Sequence, residues 1–212
     1  MPSASRTSFQ RHLLRDVDQL RIRHRNAHPG QQPGRPSSDL TRSGVFLLCA
    51  AWEWYTEEVI LEAFQLVLAA ANAPLTLPKP VRTTLAKAVK HDKHELAVLQ
   101  MAGEGWRTYL SSLATAEVAS LNTPNKTNLD DLFDRFVGVD TAAFLAPHEN
   151  ALRVFISKRG DIAHRGREAG HVSINDLDAD YDFICGLVRD LDNFLIEALR
   201  PLIGRRPWNR RE

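Results

Sequence analysis

Apolar residues recur at helical spacing through nearly all of the 212-residue chain, and no stretch keeps the alternation of a strand. This pattern excludes sheet-based folds and predicts an all-α bundle with a long second helix and a long last helix. Residues 8–25 read as the first helix, with Phe9, Leu13, Val17 and Leu20 on one stripe. Pro29-Gly30, Pro33-Gly34 and Pro36 mark a loop. The second helix, capped by Ser38 or Asp39, runs to about residue 72 and is apolar on enough sides to be buried on more than one. Shorter helices are predicted at residues 81–91, 95–101, 106–121, 128–138 and 147–164. The last helix, capped by Ser173 or Asn175, ends near Leu202. The predicted organisation is a single helical domain over residues 8–203. Residues 1–7 read as a disordered N-terminus and residues 204–212 as a basic C-terminal tail.

Composition narrows the function classes. With 43% apolar and 25% charged residues the chain has ordinary globular content. The richest apolar stretch, residues 45–73, is broken by Glu53, Glu57, Glu58 and Glu62, so no membrane span is expected. Residues 1–8 lack the apolar core of a secretion signal, and the expected location is the cytoplasm. Cys49 and Cys185 lie far apart in apolar surroundings and read as buried thiols of a reducing compartment, not as a disulfide. Arg outnumbers Lys by 21 to 6. Residues 1–43 hold eight Arg against three Asp, and residues 204–212 hold four Arg against one Glu. Basic ends on an acidic body fit a polyanion, although solvated tails account for them as well.

Few side-chain constellations carry chemistry. His91 and His94 are three apart, with Asp92 and Glu95 beside them, but no His-Glu-x-x-His pattern is present and a solvated helix face is the preferred reading. No metal or cofactor site is predicted. Gly-x-Ser-x-Gly is absent, which removes the hydrolase elbow. Trp52, Trp54 and Trp106 read as core, whereas Trp208, within the Arg-rich tail, is placed to stack on a base.

The segment Ser157-Lys158-Arg159-Gly160-Asp161-Ile162-Ala163-His164-Arg165-Gly166 gathers a cation, an acid and an imidazole at the end of an apolar helix. Asp161 and His164 share a helical face, so Asp161 can orient the imidazole; pairing with Arg165 at i+4 is the competing role. Arg159 and His164 lie about 140° apart around a helix of 3.6 residues per turn. One helix does not aim both at one point, and a twofold pairing of two such helices would. The spacing itself carries little weight: chance provides about 0.8 Arg-x4-His matches at this composition, and the chain holds two. The second, Arg23 to His28, lies where the first helix gives way to the Gly/Pro loop and is predicted to be incidental.

The chain resembles the HEPN superfamily, whose signature is Arg-x4–6-His near the end of a penultimate core helix. The resemblance is to the RiboL-PSP branch and spans most of the chain. It is carried by Leu47-Leu48-Cys49-Ala50-Ala51-Trp52-Glu53-Trp54-Tyr55, by Thr123-Pro124, and by Asn128-Leu129-Asp130-Asp131-Leu132-Phe133 before Gly138. It continues in Lys158-Arg159-Gly160-Asp161-Ile162-Ala163-His164 and ends in Val172-Ser173-Ile174-Asn175-Asp176-Leu177. Gly160 stands where the family often carries Asn, Asp or His after the motif Arg.

The resemblance implies a metal-independent endoribonuclease acting as a homodimer with a composite site. His164 would be the general acid/base, Arg159 the phosphate clamp and Asp161 the orienting carboxylate. Arg165 and Arg167 would steer RNA. It also implies a toxin or antiviral-defence role, with a cognate antitoxin as a further partner. The alternative that stays open is a non-catalytic HEPN dimerisation or RNA-binding module.

Overall fold

The computed structural model describes residues 1–27 and 38–209, and among them there is no strand. The helices are α1 (Ala4–Ser8), α2 (Leu14–Ala27), α3 (Ser38–Ala70), α4 (Lys79–His91), α5 (Gly105–Ala119), α6 (Lys126–Leu132), α7 (Ala142–Leu145), α8 (Glu149–Arg165) and α9 (Ile174–Ile203). A π-helical turn, Phe9–Leu13, joins α1 to α2, and a second, Phe133–Val137, extends α6.

The all-α expectation holds, with α3 and α9 as the two long elements. Helix α3 is the axis of the bundle and packs on α2, α5, α8 and α9. Val45, Leu48, Trp52, Tyr55, Val59, Ile60 and Phe64 are all essentially inaccessible, as burial on several sides requires. The polar atoms taken inside are satisfied: the Trp52 indole N–H donates to the Pro124 carbonyl at 3.1 Å and the Tyr55 hydroxyl to that of Val188 at 3.2 Å. Trp106 is buried as expected.

The start of α9 is locked onto α3. Ser173 is the cap: its Oγ accepts the Asp176 N–H at 3.1 Å while Asp176 accepts the Ser173 N–H at 2.8 Å. The Thr41 hydroxyl donates to the Val172 carbonyl at 2.7 Å. Gly44 allows the two helices to approach closely, since a Cβ there would lie 2.5 Å from the Leu177 side chain.

Several boundaries differ from expectation. The N-terminus is not disordered: Ser3 caps α1, and Ser3, Ser5 and Arg6 are buried. The orphan N–H groups of a helix start need acceptors, and Glu62 takes those of Ala4 and Ser5 at 2.9 Å each. Asp192, fully buried, accepts from the Ser3 hydroxyl and stands 3.8 Å from the Arg6 guanidinium. Residues 204–209 are docked as well. After the left-handed Gly204, Trp208 is buried with its indole N–H on the Asp192 carbonyl at 3.1 Å, and the Asn209 N–H donates to the Met1 carbonyl at 2.8 Å. Trp208 is therefore a core residue and is not open to a base.

Residues 95–101 do not form the predicted helix. Asp92 is extended and accepts the His94 N–H at 2.9 Å; Leu96, Val98 and Leu99 stay exposed and only Ala97 of the stretch is buried, so little apolar surface drives helix formation and a 3-10 turn, Leu99–Met101, is all that forms. Asn125, not Asn128, caps α6, because the Asn128 side chain is committed to the Thr123 carbonyl at 2.8 Å. Pro147 falls in a 3-10 turn, Ala146–His148, ahead of α8.

Candidate functional site

Helix α8 is placed by Leu152, Phe155 and Ile162, which are buried. Position 159 falls on the same stripe, so Arg159 is drawn toward α3 and half-buried. Its guanidinium carbon lies 5.6 Å from the centroid of the Phe46 ring, within cation–π range. Phe46, Cys49 and Glu53 form one stripe of α3, and the Cys49 thiol lies 3.9 Å from Glu53 Oε1. Burial pushes the Cys49 thiol up to about 12, Glu53 adds to the rise and the Arg159 charge opposes it. Burial also raises the Glu53 carboxyl, again against Arg159. Among the described residues Arg159 makes no hydrogen bond or ion pair, so its forked donors are uncommitted.

His164 occupies the last turn of α8 and is exposed, as is Arg165. Gly166, at φ +54°, ends the helix, and its N–H returns to the Ile162 carbonyl. The Arg167 side chain lies outside the described residues. Asp161 is exposed and, among the described residues, forms neither a hydrogen bond with His164 nor an ion pair with Arg165. The buried Ile162 turns its neighbour outward, where hydrated side chains gain little by pairing. A Cβ on Gly160 would meet no atom within 4 Å.

An open cleft of about 600 Å³ adjoins this helix end, lined by Leu20, Asp39, Arg42, Ser43, Phe46, Leu47, Ile162 and Gly166. Phe46 belongs both to the cleft and to the contact with Arg159. Arg42 is held by Asp39 at 2.6 Å, with 13% of its side chain exposed. Lys158 pins α8 to α9 through Asp180 at 2.6 Å; burial raises the Asp180 carboxyl and Lys158 opposes the rise. The roles of Phe46, Arg42 and Lys158 are absent from the sequence reading. Phe46 reads there as one more apolar residue of the long helix, and only the packing of α8 on α3 sets it apart.

The remaining candidates do not assemble into a site. His91 ends α4 and His94 lies in the following turn, so the two share no helix face, and among the described residues no group of three His, Cys, Asp or Glu suits a metal ion. Arg23 is exposed near the end of α2, and its partner His28 lies outside the described residues. Much of the N-terminal positive charge is absorbed internally: Arg21 and Arg25 both pair with Asp178, at 2.6 and 2.7 Å. Cys49 and Cys185 are free thiols. No helix among the described residues is long and apolar enough to cross a membrane. A second groove, lined by Leu75, Leu85, Val89, Met101 and Trp106 with Lys79, Arg82 and Thr83, shares no residue with α8 and includes no His, Cys, Asp or Glu.

A model of the RiboL-PSP-HEPN family matches residues 12–197. No curated protein and no solved structure gives a significant match. The matched span contains α3, α8 and most of α9, and with them the cleft, Arg159 and His164. The chain belongs to the RiboL-PSP-HEPN family.

Proposed function

We propose that this domain is a metal-independent endoribonuclease in which His164 moves the proton and Arg159 holds the scissile phosphate. The observation that carries this reading is the state of Arg159: half-buried over Phe46, and uncommitted among the described residues, at the edge of an open cleft. A guanidinium so placed offers two parallel donors to a phosphate. The ribose 2′-hydroxyl attacks phosphorus, and an imidazole takes its proton. Arg159 stabilises the charge on the pentacoordinate phosphorane. The bond from phosphorus to the 5′ oxygen breaks, and that oxygen receives a proton. The products are a 2′,3′-cyclic phosphate and a 5′-hydroxyl end. The nucleophile belongs to the RNA, so the step needs neither a metal-activated water nor a cofactor.

Arg159 leans on α3 while His164 faces solvent from the last turn of α8. A homodimer that pairs two α8 ends would bring the Arg159 of each protomer to the His164 of the other and would supply two imidazoles, one as base and one as acid. Arg165 and Arg167 would steer RNA toward that pair, and Asp161 would turn onto His164 once the interface excludes water. A toxin or defence role would be the biological form of this activity.

The test is cleavage of total cellular RNA by purified protein in EDTA. Loss of the general acid/base costs about 10² to 10⁴, so His164→Ala should be silent in a gel assay, and Arg159→Lys should fall steeply because an ammonium cannot reproduce the fork. Sedimentation should give a dimer at micromolar concentration. Cleavage that persists in His164→Ala, or that requires a divalent ion, defeats the proposal. Gly160, which brings no polar group, favours a second reading as a non-catalytic dimerisation or RNA-binding module. Wild-type protein that binds RNA but cuts none would establish it.

A further inference from the structure

We infer that the cleft between α2, α3 and α8 is a nucleobase subsite, with Phe46 as its stacking platform and Arg42 as the cation for the adjoining phosphate. This rests on the endoribonuclease reading and adds to it a place for the base beside the scissile phosphate.

Three observations converge on the assignment. Phe46 is shared: its ring carries the Arg159 guanidinium at 5.6 Å and also lines the cleft. A phosphate held by Arg159 therefore brings its own nucleotide to the same ring. The cleft has the size of a small-molecule site and a mixed wall suited to a base, with Phe46, Leu47 and Ile162 as apolar surface and Ser43 at an exposed edge. Finally, Arg42 lines the cleft with its own guanidinium, kept in place by Asp39 at 2.6 Å. Its buried stem is already ordered, so little conformational freedom is lost when it binds an anion. One guanidinium over the Phe46 ring and another along the cleft that this ring lines suit the alternation of phosphate and base along a single strand.

Such a site binds a base by its π-face, so the base must be unpaired, and it reads stacking more than hydrogen-bond edges. Arg159 would set affinity for the backbone and Phe46 affinity for the base. The two contributions can be measured apart.

The experiment is equilibrium binding, by fluorescence anisotropy, of two labelled octamers that the protein cannot cut. One is a 2′-O-methyl oligoribonucleotide of mixed sequence; the other is an abasic phosphodiester of equal charge. Wild-type protein should prefer the base-bearing strand by about tenfold, at the lower end of the stacking range. Phe46→Leu keeps an apolar side chain and should erase that preference. Ser43→Leu, at an exposed helix position, should do the same by filling the cleft, and it covers the case in which the Phe46 variant fails to fold. Arg159→Ala should weaken both strands alike and keep their ratio. Equal wild-type affinity for the two octamers, or an unchanged preference in folded Phe46→Leu and Ser43→Leu, overturns the assignment, as does a preference lost only in Arg159→Ala. Cleavage tests the endoribonuclease reading separately. A wild-type protein that shows the base preference but cuts no RNA overturns that reading and upholds the cleft as a base site.

Discussion

Arg159 on α8 lies with its guanidinium carbon 5.6 Å from the centre of the Phe46 ring on α3. This one contact links the end of the motif helix to the long axial helix and sets a cation at the border of an open cleft. It is also where the packing of the bundle becomes chemistry. The buried residues Leu152, Phe155 and Ile162 set the rotation of α8, and that rotation places Arg159 on Phe46 and leaves His164 in solvent.

At Gly160 an added Cβ meets nothing within 4 Å. Gly160→Ala should raise stability by about 0.5–1 kcal/mol, because glycine in a helix interior is disfavoured by that amount. Gly160→Asn should fold with an unchanged or slightly higher melting temperature. Its effect on RNA cleavage then reads the missing polar group directly: a gain in rate marks a weakened nuclease. A clear loss of stability in either variant would show that α8 is more tightly enclosed at this point than the structure has it.

Gly138 ends the helical run after α6 at φ +76°, a conformation that costs other residues about 1–2 kcal/mol. A Cβ would also run into the Pro78 side chain and come within 3.6 Å of Val81. Gly138→Ala should therefore cost at least about 2 kcal/mol in urea denaturation, with the strain and the overpacking adding together. A melting temperature close to that of wild type would contradict the turn.

Asp192 is fully buried and holds the N-terminal segment through Ser3 and Arg6. Asp192→Ala removes the acceptor of the Ser3 hydroxyl and the carboxylate that faces Arg6, and should cost about 1–3 kcal/mol. Deleting the first six residues should also destabilise the protein measurably, by removing the partners of both Asp192 and Glu62. If truncation left the thermal midpoint unchanged, the docked N-terminus would be disproved.

Burial pushes the Cys49 thiol up to about 12 and the Cys185 thiol up to about 11. Native protein should react with a thiol reagent at pH 8 far more slowly than urea-unfolded protein, because the thiolate is the nucleophile. The sign of the linkage follows. The fold favours the neutral thiol, so the stability it contributes is complete below the unfolded pKa of about 8.5 and is lost as pH rises toward the folded values. A denaturation series from pH 8 to 10 should show falling stability, and Cys49→Ala should flatten that slope. A series that rises with pH would reverse the assignment.

Much of the fold can be read from residue pattern because helical periodicity is local. Ser173 with Asp176, Gly138 and the apolar stripes of α3 and α9 signal their structures within a few residues of sequence. The failures share one cause. Residues 1–7 and Trp208 look like solvated ends because their partners, Glu62 and Asp192, are far away in sequence. Residues 95–101 look helical because propensity says nothing of whether an apolar face finds something to cover.

The candidate site divides in the same way. The order and spacing of Arg159, Gly160, Asp161 and His164 near the end of an apolar helix, and the family to which they belong, are properties of the sequence alone. That Arg159 rests on Phe46 and that Arg42 joins the same cleft were decided only by the packing of α8 against α3. The physical reason is that a one-dimensional pattern specifies which face of a helix is apolar. It does not specify which side chains of a helix over a hundred residues away will meet that face.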